Sequence, residues 1–323
     1  MPPVPRELHV DRWLTNLSLA YWQDSRDFVS DKVFPVISVT KQSDKYIIYD
    51  RGSFWRDQMA PRPLGGRADV ADWSKTEGQY LCVERALAHM IDDRQRANTD
   101  QPLNPDRAGM QLLTHAAAIN NDNRWGTEYF APSIWTTDLE GAADAGFTQI
   151  ADTSTGSPIE LIDQYKEVVK ELTTLTPNTV VVGAKVHRIL RNHTKLKEVF
   201  KYTQTAILDE DLIARTFGID NYYVTRSVVN AAREGQADDI AFAHDTLDVL
   251  MCYAAPSPGL ETPSAGYSFA WTGLLPGATN AFGGVVMRGR EDFAHSDILE
   301  IRTANDIKLV SADLGVFFNT FVA

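Results

Sequence analysis

Between Asp44 and Tyr80 the chain places two β-rich runs around a stretch containing Pro61, Pro63, Gly65 and Gly66. The first run is Asp44-Lys45-Tyr46-Ile47-Ile48-Tyr49-Asp50; the second, Ala68 to Trp73, leads on to Tyr80. This pattern predicts a long two-stranded excursion with a Pro/Gly-rich tip. A solitary ribbon has no second layer, so it cannot bury Trp55 and Trp73 by itself. Twelve of these 37 residues are charged, six of each sign. The excursion is therefore expected to lie on a neighbour.

The segment before it points the same way. Val10, Trp13, Leu14, Leu17 and Tyr21 recur at helical spacing and predict a short amphipathic helix. Pro35 disfavours helix at Phe34, so Phe34-Pro35-Val36-Ile37 is expected to run as an extended apolar arm seeking another surface. Residues 1–80 hold eleven basic and eleven acidic side chains, which leaves the whole formal charge of -12 on the rest of the chain. Such an acidic balance argues against a surface that wraps nucleic acid by neutralising phosphates.

With 323 residues, 44% of them hydrophobic and 23% charged, the chain has material for a real core in one elaborate domain or two lobes. Val83 to about Arg94 reads as helical. A longer helix is expected from Asp106, through Met110, Leu112, Leu113, Ala117 and Ile119, towards Trp125. Ser157-Pro158 with Glu160 opens another, whose stripe is Ile159, Ile162, Tyr165, Val168, Val169 and Leu172. Thr179 to Gly183 reads as a buried strand, Val186 to Phe200 and Asp211 to Phe217 as helical, and Tyr222 to Thr225 as a second strand. Together these describe a compact α/β lobe over about 155–245. Short strand-like runs follow at Leu247–Tyr253, Tyr267–Trp271, Gly284–Met287, Ile298–Arg302 and Ile307–Val310, and the apolar run Gly315-Val316-Phe317-Phe318 comes near the end.

Cys82 and Cys252 lie far apart and match no zinc spacing, so they read as reduced, buried thiols of a cytosolic protein. The start Met1-Pro2-Pro3-Val4-Pro5 lacks the basic and apolar regions of a signal peptide, and no window approaches 18 uninterrupted apolar residues. Neither secretion by that route nor a membrane span is expected.

Sites of familiar chemistry are missing. Val182-Gly183-Ala184-Lys185 has a strand, one glycine and a lysine, but lacks the second glycine of a phosphate cradle. His187 and His193 are six apart, which does not put them together on one helical face, and they read as solvent-facing helix residues. Asp209-Glu210-Asp211 reads as a helix cap more readily than as a carboxylate pair for acid/base work. Asp92-Asp93 and Asp238-Asp239 read as helix face and loop, and His244-Asp245 with Asp248 is only a loose metal-like cluster. No catalytic, cofactor-binding or metal-ligating residue is assigned.

Several segments taken together resemble one family. Phe28-Val29-Ser30-Asp31-Lys32-Val33-Phe34-Pro35-Val36, Lys41-Gln42-Ser43-Asp44-Lys45-Tyr46 and the hairpin to Tyr80 look like the amino-terminal arm and extended loop of tailed-phage major capsid proteins. Asn178 to Gly183 leading into His187 to His193 is similar to that family's axial lobe, and Ala312 to Val316 to its closing strand. The resemblance implies an α+β fold of the Hong Kong-97 type. Its parts would be an arm to residue 44, an extended loop over 45–80, a peripheral domain over 81–131 and 246–305 with the Asp106 helix as its spine, and an axial domain over 132–245 and 306–323. It also implies pentamers and hexamers on an icosahedral shell around double-stranded DNA held without sequence-specific contact, with no cofactor, no enzymatic activity and no membrane. The shell would be built in the host bacterial cytoplasm with a separate scaffolding protein and a portal; a decoration protein is left open. Phe34, Tyr46, Trp55 and Trp73 are expected to supply much of the apolar burial between subunits. The arm is then dispensable for folding of the isolated subunit. Some family members join neighbours through a loop lysine and a partner asparagine; Lys45 and Lys75 lie in the corresponding region as intersubunit contacts, with no asparagine matched to them.

Two other readings stay open at this point. An encapsulin-like compartment shell would keep the fold and enclose protein cargo. A cytosolic α/β enzyme would use a pocket around Asp209, Glu210, His244 and Asp245.

Overall fold

The computed structural model describes residues 23–59, 61–62, 64–99, 104–141, 147, 149–150, 156–200, 209–259, 262–274 and 284–322. The helix expected over residues 10–21 lies outside them. In chain order the first elements are α1 (Ser30–Val33), β1 (Val36–Val39), β2 (Ser43–Tyr49), α2 (Arg51–Phe54), β3 (Lys75–Leu81), β4 (Val83–Asp92), α3 (Asp93–Asn98), α4 (Pro105–Tyr129) and β5 (Thr137–Glu140). Next come α5 (Pro158–Thr173), β6 (Thr179–Gly183), α6 (Ala184–Asn192), α7 (Thr194–Phe200), α8 (Glu210–Thr216), β7 (Asn221–Thr225), β8 (Val228–Asn230) and β9 (Ile240–Phe242). The chain closes with β10 (Val249–Cys252), β11 (Gly266–Trp271), β12 (Gly284–Glu291), β13 (Ser296–Leu309) and β14 (Gly315–Asn319).

Two five-stranded sheets organise these elements. In the first, β13 is flanked on one side by β4 and on the other by β12 and β11 end to end, with β1 added in parallel to β11. The second runs β5-β14-β10-β6-β7. β6 is β-branched at four of five positions and buried throughout, as a central strand covered on both faces must be. Helix α5 starts as its sequence directs, with Pro158 in the first turn, and buries Ile162, Tyr165, Val169 and Thr173 at helical spacing. Their apolar side chains join Val180, Val182, Met251 and Phe318 in one core.

The long helix α4 is capped by Asn104, whose side chain accepts from the amide of Arg107. It packs on β13 and β4 through Leu113, Ile91, Leu299 and Ile301. Its last turns reach between the sheets, where Trp125 and Tyr129 meet Phe34, Val181, Leu250, Ile307 and Phe317. The outer end of the first sheet is tied by charge. Asp297 receives Arg96, Arg288 and Arg290 at 2.9, 2.5 and 3.0 Å, and the three guanidiniums hold its carboxyl far below the usual range.

Three expectations change. Val83–Asp92 is a strand, because ten residues of β13 stand opposite it in antiparallel register. The run Ile298–Arg302, and Ile307–Val310 up to Leu309, are parts of the one strand β13. Val249–Cys252 hydrogen-bonds to β6 and β14, so it belongs with the second sheet although it follows the break expected at 245.

Candidate assembly surface

The excursion is a hairpin of β2 and β3, paired from Ser43–Leu81 at its base to Tyr49–Lys75. Its base is set into the first sheet. Tyr80 and Tyr46 both stack on Phe269, at 4.6 and 5.6 Å between ring centroids. Tyr46 lies flat over its cross-strand partner Gly78, where a Cβ would meet the ring at 2.4 Å, so only glycine leaves room for it. The amide of Leu81 donates to Asp306 at 2.9 Å, and that of Cys82 to the carbonyl of Gln42 at 2.8 Å. Lys45 bridges to Glu77 across the strands at 2.6 Å, which raises the lysine and lowers the carboxyl from their ordinary ranges.

Beyond the base the hairpin is thin and its aromatics are uncovered. Asp50 caps α2, accepting from the Ser53 hydroxyl at 3.0 Å and the Gly52 amide at 3.2 Å; these bonds hold its carboxyl below the usual range. Phe54 then stands between Tyr49, edge-on at 6.0 Å, and Trp73, stacked at 6.3 Å. Phe54 is 59% exposed, Trp73 57% and Trp55 47%. Met59, Leu64 and Val70 are more open still. A row of large apolar side chains on so thin an element is a surface that loses contact with water only when another body covers it.

The root of the arm is fixed by one buried carboxylate. Asp122 of α4 accepts from the amides of Val29 and Ser30 at 2.9 and 3.1 Å, from the Ser227 hydroxyl at 2.6 Å, and from Nε2 of His244 at 2.7 Å. Burial pushes this carboxyl up, but His244, Ser227 and the Val29 amide together pull it below its ordinary value. Beside it Asn121 donates to the Ser30 hydroxyl and accepts from Asn305, which in turn receives Arg124. The ring of His244 lies against Gly126, where a Cβ would fall 1.8 Å from Nδ1. Ser227 and His244 both bond to the carboxylate, so the serine is not aimed at the imidazole as a nucleophile would be.

The residues expected to meet neighbours thus fall into different places. Trp55, Trp73 and Lys75 are exposed on the loop, while Lys45 is engaged with Glu77 and Tyr46 packs on its own sheet. Phe34 is a correction. It is fully buried between Trp125 and Tyr129 of its own chain, at 6.1 and 5.1 Å, and has no surface left for a neighbour. The histidines differ as well: His193 is buried, and His187 meets the Tyr222 hydroxyl at 3.1 Å. Burial pushes both cysteine thiols up to about 12. The enzyme candidates do not converge, since Asp209 caps α8, Glu210 pairs with Arg226, Asp245 caps the Leu247 amide and His244 is sealed on Asp122. A cavity of about 430 Å³ between the arm root and α4, lined by Phe28, Asp31, Met110 and His115 among others, contains none of them.

Comparison with solved structures sets this geometry beside known ones. A phage-related protein from Bordetella bronchiseptica superposes with a TM-score of 0.69 at 18% identity, covering 93% of this chain and 94% of that one. The capsid structure of cyanophage P-SCSP1u superposes at 0.62 with 10% identity, over 98% and 94% of the two chains. The chain has the Hong Kong-97-type fold. Within that fold an encapsulin from Synechococcus elongatus matches at 0.50 with 9% identity, over 96% and 95% of the chains. In sequence, the chain is 24% identical to the major capsid protein of Pseudomonas phage JBD67 over 97% of both chains. It is 25% identical to that of Burkholderia phage BcepMu over 68% of this chain and 69% of the relative. No family model matches the sequence.

Proposed function

We propose that this chain is a major capsid protein, the subunit that assembles as pentamers and hexamers into the icosahedral shell of a tailed phage. The observation that carries the proposal is the projecting hairpin, whose uncovered Phe54, Trp55 and Trp73 sit on a Hong Kong-97-type body. The end-to-end sequence similarity to a phage major capsid protein supports the same reading.

On this reading the loop lies over a neighbouring subunit, where its aromatics are covered and its six charges of each sign find partners. Like charge on many acidic copies opposes association, so apolar burial must supply the net attraction. The shell encloses double-stranded DNA without gripping its phosphates, forms in the host cytoplasm with a scaffolding protein and a portal, and does so without catalysis by this chain. The extended loop, peripheral lobe and axial lobe correspond to the hairpin, the first sheet with α4, and the second sheet with α5.

Negative-stain electron microscopy with light scattering on the purified chain tests this. Closed shells, or rings of five and six, are expected; a discrete dimer or tetramer under crowding and with scaffold would overturn it. Nucleic acid inside particles from infected cells marks a phage shell, whereas a protein cargo there would move the role to the encapsulin branch of the fold.

A further inference from the structure

We propose that the ion pair between Arg51 and Asp313 aims the loop, so that these two residues position the aromatic surface for the neighbouring subunit. This rests on the shell reading above.

Arg51 opens α2, at the far end of the hairpin from its base, and Asp313 lies in the turn Ala312–Leu314 that connects the two sheets. Their charged groups are 2.7 Å apart. Apart from the hairpin's own ladder to Thr76 and Glu77, this is, among the described residues, the one hydrogen bond, ion pair or ring contact that joins residues 47–75 to the rest of the subunit. The seven-residue strands place α2 about 20 Å from the hairpin base. A two-stranded ribbon of that length, held only at its base, bends and twists freely. A second point of attachment at the far end removes that freedom.

The direction of the effect follows from what the pair leaves uncovered. It does not hide Phe54, Trp55 or Trp73, which stay about half exposed, so it does not block docking. The pair restrains the backbone of α2, and with it the Tyr49–Phe54–Trp73 stack, while leaving those rings open to solvent. Ordering a binding element before contact lowers the entropic cost of association. Both side chains remain partly solvated, and an exposed pair of this kind shifts a local equilibrium only about two- to fivefold. It therefore biases the loop without locking it.

Charge exchange tests the pair. Arg51→Glu leaves a residue suited to the first turn of a helix capped by Asp50, so α2 itself should survive. In full-length subunits, Arg51→Glu and Asp313→Arg are each expected to speed hydrogen exchange of the Gly52–Trp55 amides two- to fivefold and to slow shell formation at least threefold by light scattering. The melting temperature should stay within about a degree of wild type. The double variant Arg51→Glu/Asp313→Arg is expected to restore both readouts. Unchanged exchange and assembly in the single variants, or a double variant no better than either, overturns the proposal while wild-type shells keep the shell reading intact. Wild-type protein that forms no shells overturns both.

Discussion

His244 and Asp122 stand 122 positions apart in the chain and meet side chain to side chain at 2.7 Å with almost no contact with solvent. Two backbone amides of the arm root and one serine share the same carboxylate. Asp122→Ala leaves these four donors buried without an acceptor and is expected to cost about 3–5 kcal/mol in denaturant unfolding, with Asp122→Asn costing less. The carboxyl is held below its ordinary value in the folded chain, so its contribution is full above the unfolded value near pH 4 and is lost as pH falls further. An acid titration followed by fluorescence should show arm-root exposure beginning below about pH 4. A loss of stability under 1 kcal/mol in Asp122→Ala would remove the residue from this role.

Asp248 titrates in the opposite sense. Burial pushes its carboxyl up to about 6, against the pull of the Thr320 amide at 2.8 Å. A raised folded value means that stability is highest with the proton bound and declines as pH rises from about 4 to about 6. Asp248→Asn keeps an acceptor for Thr320 and carries no charge to bury. It should melt a few degrees above wild type at pH 7.5 and at the same temperature near pH 4; equal melting at both would refute the argument.

Trp73 and Phe34 separate the two kinds of burial. Trp73→Ala removes a side chain that is 57% exposed in the subunit, so its unfolding free energy should change by less than about 1 kcal/mol. Shell formation should weaken by about 2 kcal/mol per loop contact or more, read from the concentration at which shells appear. Equal effects on both would place Trp73 in the subunit's own core.

Phe34→Ala should do the reverse and cost about 3–5 kcal/mol of subunit stability, because it opens a cavity between Trp125 and Tyr129. Contrary to the expectation that the arm is dispensable for folding, deleting residues 1–40 removes Val29, Val33, Phe34 and the whole of β1, and should abolish soluble folding. Deleting 1–22 retains every one of these contacts and should leave a folded chain by circular dichroism. A folded 1–40 deletion would show that the arm root is not part of the core.

The parts of the fold legible in the sequence are those whose signals are local. Ser157-Pro158 marks the start of α5, and the run Thr179 to Gly183 can only be a buried strand. The hairpin was readable from its composition, although β3 starts at Lys75 and not near Ala68. Val83–Asp92 misled because Val83, Leu87 and Ile91 fall at helical spacing, while the strand they form is decided by a partner more than 200 residues away. Thr303-Ala304-Asn305-Asp306 reads as a break in β13, but its polar side chains are tied to Arg85, Asn121, Arg124 and Leu81 and so sit within a strand. Asp122 is inconspicuous inside the polar run Asn120-Asn121-Asp122-Asn123. The available signal was that Asn121, Asp122 and Trp125 share the inward stripe of a long helix, where a carboxylate must have partners.

β13 is zipped on both edges, and that has a mechanical meaning. From Asp297, gripped by three arginines, to Asp306, which holds the base of the loop, the strand runs nine residues, about 30 Å. Slipping it by one position would turn every inward side chain outward against β4, β12 and β11 at once. The sheet is therefore a stiff beam with a handle at each end. On the shell reading, a tug at the arginine corner is expected to reach the loop, and through it a neighbouring subunit, as a tilt of this strand with little stretching between.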